Sequence, residues 1–94
     1  MRRAPLRTQP LPGADSFCLI VARHVVGDPG AVKVASVEGQ ELIVIELSAP
    51  AEDVGRLVGR DGRTIGAIRT LAEALAQRMG KRIIVDVQPA QRRA

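Results

Sequence analysis

The stretch Val58-Gly59-Arg60-Asp61-Gly62-Arg63-Thr64-Ile65-Gly66-Ala67-Ile68 decides how this chain is read. Two glycines bracket a pair of charged residues, and apolar residues follow at helical intervals. Ile65, Ile68, Ala72, Leu75 and Met79 recur at spacings of three and four, which is one face of a helix running over about 62–79. Gly80 ends it. Upstream, Pro50 fits the first turn of a short helix reaching Val58, with Glu52 and Asp53 at its positive end and Arg56 further on. The glycine loop therefore joins two helices. That context is what gives it weight: with 9 glycines in 94 residues, chance alone supplies about 0.8 Gly-x-x-Gly matches. Gly27-x-x-Gly30 is such a match, and Gly27-Asp28-Pro29-Gly30 reads simply as a turn.

Working outward, that turn closes a first helix capped by Asp15 or Ser16 and running to about Val26, with Phe17, Ile20, Val21 and Val25 on its inner face. Val32–Val37 and Glu41–Leu47 are rich in Val, Ile and Leu and are joined by Glu38-Gly39-Gln40, which predicts an antiparallel hairpin. Arg82–Val87 is a last strand whose Ile83-Ile84-Val85 run suggests burial on both faces. It returns through two helices, a crossover that lets it lie parallel to the second strand. The expected fold is α+β, in the order α-β-β-α-α-β: a three-stranded mixed sheet with helices packed on one face.

Ninety-four residues allow one domain, expected over 15–88, and a domain of this size gains from a partner. One cysteine, Cys18, and one histidine, His24, cannot build a zinc site, and Cys18 among Leu19, Ile20 and Val21 reads as core. The formal charge of +4 conceals a segregation. Residues 15–54 hold two basic and seven acidic residues; residues 55–82 hold seven basic (Arg56, Arg60, Arg63, Arg69, Arg78, Lys81, Arg82) and two acidic. Residues 1–14 and 89–94 add five arginines and no acid, and read as a disordered basic tail and a short basic C-terminal tail. Such asymmetry suits a polyanion. Pro5, Pro10 and Pro12 interrupt any signal-like segment, and Phe17–Ala22 is far too short to span a bilayer, so a cytoplasmic protein without a membrane partner is expected.

The run around the glycine loop resembles the Ile/Val-Gly-x-x-Gly-x-x-Ile-x-x-Ile signature of the KH domain, and the element order resembles its type II, bacterial form. With Ala-Pro-Ala-Glu-Asp-Val-Gly-Arg-Leu-Val-Gly before the loop and Gly-Arg-Thr-Ile-Gly-Ala-Ile-Arg-Thr-Leu after it, residues 15–88 are similar to the KhpA family of small RNA-binding KH proteins. The resemblance implies single-stranded RNA held with little sequence choice, in post-transcriptional regulation touching cell elongation or division. It also implies self-association, or pairing with a larger KhpB-like RNA-binding protein. KH loops clamp about four nucleotides, which makes Gly59, Arg60, Asp61, Gly62, Arg63, Ile65 and Gly66 the candidate RNA-binding residues. Glycines let a nucleic-acid backbone approach, amides at the following helix start face phosphate, and Arg60 and Arg63 add charged contacts. Ile65 belongs mainly to the core and also to a groove floor. Gly66 thins the helix for a ligand or for tight internal packing. Asp61 either repels phosphate or caps the long helix by accepting the Arg63 or Thr64 amide.

Other classes fit less well. His24 stands alone, Glu52 and Asp53 read as helix-start residues, and no nucleotide-binding fingerprint occurs, so an enzyme is not expected. A helix-turn-helix would offer Arg63, Ala67, Thr70, Ala74 and Gln77 to DNA, a poor set for base edges. The lack of Tyr and Trp speaks against stacking platforms such as the RRM. A protein-interaction module competes more seriously. Leu71 lies on the shoulder of the helix stripe beside Ala67, Ala74 and Arg78, which either forms a two-fold helix contact or widens the core face.

Overall fold

The computed structural model describes residues 13–90. Its elements are α1 (Ala14–Val25), β1 (Lys33–Glu38), β2 (Leu42–Ala49), α2 (Ala51–Val58), α3 (Arg63–Arg78) and β3 (Arg82–Pro89), with 3-10 turns at Pro29–Ala31 and Arg60–Gly62. The sheet order is β1-β2-β3. β1 and β2 pair antiparallel, with Val37 opposite Val44, and β2 and β3 pair parallel, with Ile45 opposite Val85. The expected topology is present, and α1 and β3 extend slightly beyond the expected limits of 15–88. The expected tails lie mainly outside the described residues.

β2 is the central strand, and its alternation shows where the core sits. Ile43, Ile45, Leu47 and Ala49 are buried under the helices, while the residues between them face the uncovered side. β3 follows the same rule: Val85 is buried but Ile84 is 46% exposed. Burial on both faces is thus corrected. All three helices pack on one side, so a continuous apolar run still presents every second residue to solvent.

Two helix faces also differ from expectation. α1 starts from Gly13 rather than from a capping Asp15 or Ser16, and the Asp15 carboxylate instead accepts the Ser16 amide at 2.9 Å. Its buried line is Ala14, Cys18 and Ala22, small residues at i, i+4 that let α1 come close to the sheet; Phe17, Val21 and Val25 flank it half-buried, and Ile20 is exposed. Burial, helped by the charge of Asp15, pushes the Cys18 thiol up to about 11, so it stays a protonated packing group. On α3 the buried line is Ile65, Ile68, Ala72 and Ala76. Leu75 is half-buried, and Met79 falls past the helix end and is exposed.

Candidate nucleic-acid interface

Backbone geometry explains why the loop between α2 and α3 needs its glycines. The Gly59 amide donates to the Gly55 carbonyl at 2.8 Å, ending α2, and the chain turns at φ 81°. A Cβ there would strike the Thr64 side chain and come within 2.8 Å of the Thr64 backbone nitrogen. Gly59 is therefore fixed both by its left-handed conformation and by the close approach of α3. Asp61 (φ 57°) and Gly62 (φ 73°) follow in left-handed conformations, and the Gly62 amide closes the turn on the Gly59 carbonyl at 3.1 Å. Asp61 is the one non-glycine residue with positive φ among the described residues. No side chain caps α3, so the Asp61 capping alternative is not realised.

The outer side of this turn is open. A Cβ on Gly62 or on Gly66 would meet no atom within 4 Å. For Gly66 this removes the alternative of tight internal packing, because none of the described residues lies against it. Arg60, Asp61 and Arg63 are exposed, and neither arginine makes an ion pair among the described residues. Two unpaired guanidinium groups and the uncapped amides of α3 thus surround a bare backbone ledge, with one carboxylate at its tip. Ile65 follows on the inner side of α3. It is buried in the core at 6% exposure, in keeping with its mainly structural reading.

The opposite flank of α3 carries an apolar hollow of about 280 Å³, lined by Phe17 and Val21 from α1 and by Arg63, Thr64, Ala67, Ile68 and Leu71 from α3. Leu71 is 53% exposed there, and Ala74 and Arg78 continue along the exposed side of the helix. Leu71 therefore does not widen the core face. The helical periodicity of α3 gives no hint that α1 contributes; Phe17, the single aromatic residue, is the signal that could have suggested it. A second omission is Asp53, read as a helix-start residue. It is 2% exposed, and its carboxylate accepts the Gly27 amide at 2.9 Å, the Asp28 amide at 3.2 Å and Arg56 Nη1 at 3.1 Å.

A helix–Gly-x-x-Gly–helix unit followed by a parallel third strand, preceded by a helix and an antiparallel pair of strands, defines a type II KH domain. The family model "KhpA/KhpB, KH domain" matches residues 16–87, and the chain belongs to that family. It is 42% identical over 67 residues to RNA-binding protein KhpA of Caldanaerobacter subterraneus subsp. tengcongensis, covering 71% of this chain and 89% of that protein. It is 37% identical to the protein of the same name from Clostridium acetobutylicum, over the same shares of both chains. Among solved structures, Era in complex with MgGDPNP and nucleotides 1506–1542 of 16S ribosomal RNA superposes with a TM-score of 0.56 at 18% identity, covering 88% of this chain and 37% of that one. Aquifex aeolicus Era bound to GDP.AlF4- gives 0.56 at 17%, covering 81% and 29%. At such identities the likeness is one of fold, and this chain spans little more than a third of Era at most.

Proposed function

We propose that this domain binds single-stranded RNA, with the sugar–phosphate backbone lying on the ledge formed by Gly59, Arg60, Asp61, Gly62, Arg63 and Gly66. The observation that carries the reading is the open backbone at Gly62 and Gly66 beside two arginines that are unpaired among the described residues. Phosphate is matched by charge-assisted donors and helix amides, and a backbone clamp of this kind gives little choice of sequence. The names of the KhpA relatives support RNA as the ligand, and a post-transcriptional role linked to cell elongation or division follows from the family resemblance. Arg60→Asp tests the placement. Because Arg60 is exposed, the variant should keep its melting temperature yet lose about tenfold or more in affinity for a short single-stranded RNA, the scale of a lost charged hydrogen bond. Unchanged affinity would remove RNA from this loop.

A second reading is favoured by the hollow between α1 and α3. There the domain acts mainly as a protein-interaction module, self-associating through Ala67, Leu71, Ala74 and Arg78 or pairing with a KhpB-like protein, and RNA binding is secondary. The two surfaces flank α3 and meet at Arg63, which belongs to the ledge and also lines the hollow.

A further inference from the structure

The buried Asp53 carboxylate lies outside the loop, yet it joins three parts of the chain. It accepts both amides of the Gly27-Asp28 turn that follows α1, and it holds the Arg56 guanidinium on its own helix. Gly27 is shaped for this contact: a Cβ there would run into Arg56 Nη1 and come within 3.3 Å of Asp53 Oδ1. α2 has only eight residues, and Gly59 lies six residues beyond Asp53, about 9 Å along the helix. The second half of this short helix is seated by Leu57, which is fully buried, and its first turn is fastened by the Asp53 carboxylate, so the angle at which it delivers the loop depends on both ends. We infer that Asp53 is the positioning residue of the RNA-binding loop, tying α2 to the turn after α1 so that Gly59–Gly62 is held ready for phosphate. The inference rests on the RNA-binding reading above.

Electrostatics and positioning predict opposite signs, which makes the idea testable. Asp53→Asn removes an acid from a phosphate-binding domain and releases the positive charge of Arg56, and by Coulomb attraction alone RNA should bind more tightly. Positioning requires weaker binding, because an amide offers one acceptor oxygen where the carboxylate offered two. Affinity for a short single-stranded RNA would be measured by fluorescence anisotropy on the full chain, at a temperature where melting curves show each variant folded. We expect Asp53→Asn to weaken binding about fivefold, and the penalty to shrink when Arg60→Ala is already present, as expected for residues acting through one loop. Gly27→Ala, which keeps the carboxylate and disturbs the clamp from the other side, should weaken binding in the same direction and decides the matter if Asp53→Asn does not fold. Equal or tighter binding by the folded variants overturns the positioning role while leaving RNA binding intact. A wild-type chain that binds no RNA removes the functional reading, and this inference with it.

Discussion

Asp61 occupies a left-handed conformation that costs an ordinary L-residue about 1–2 kcal/mol, and its side chain receives no compensating cap bond to α3. It also projects a negative charge from the loop tip between Arg60 and Arg63. Asp61→Gly relieves both burdens. The backbone strain disappears, against a glycine entropy cost of about 0.5–1 kcal/mol, and the repulsion of phosphate goes with the carboxylate. The melting temperature should stay level or rise, and affinity for single-stranded RNA should increase by up to about fivefold, the effect of about 1 kcal/mol between unit charges at close range in water. Weaker RNA binding at unchanged stability would mean that the carboxylate serves the ligand rather than opposing it. At this scale the sequence was informative about which residues form the loop, because Gly-x-x-Gly and its apolar offsets are local. The fate of Asp61 depended on a dihedral angle that no spacing reports.

Among the elements, α3 shows both the strength and the limit of periodicity. Ile65, Ile68 and Ala72 are core as their spacing predicted, but the stripe then turns to Ala76 instead of Met79, because the helix ends at Arg78. The true period of 3.6 residues also leaves Leu71 outside the buried arc. α1 was harder still. Its large apolar residues suggested an inner face rotated from the true one. Phe17, Val21 and Val25 pack on its flank and Ile20 is exposed, whereas close packing against the sheet put the small residues Ala14, Cys18 and Ala22 at its centre. The consequence is that Phe17 and Val21 turn toward Leu71 and build the hollow with it. Leu71→Glu places a charge on a side chain that the fold does not bury, so the domain should remain folded with little change in melting temperature. If α3 mediates self-association, sedimentation of the wild type should show a dimer and that of the variant a monomer. A dimer that survives the change would place any interface elsewhere.

For the molecule as a whole, the order of elements and the mixed sheet were legible because each turn carries glycine or proline and each connection length restricts the pairing. The covering of the sheet was not, since residues such as Ile84 and Val37 face solvent only because all helices lie on the other side. Charge is the remaining property at this scale. All five arginines of the terminal segments, Arg2, Arg3, Arg7, Arg92 and Arg93, lie outside residues 13–90, whereas Ala14 is buried in α1 and the Ala90 amide donates to the Ala49 carbonyl at 2.8 Å. A chain of residues 13–90 thus keeps every described element while losing those five charges. If the terminal arginines touch phosphates, this shorter chain should bind RNA more weakly. The slope of log affinity against log salt should then flatten by about 0.7 for each phosphate of a single strand that is no longer neutralised. Arg60→Asp in the full chain should flatten the slope as well, by about the value of one phosphate, because the loop and the termini would then draw on the same electrostatic attraction. Equal slopes for the full and shortened chains would confine phosphate binding to the basic residues and helix amides of the folded domain, Arg60 and Arg63 among them.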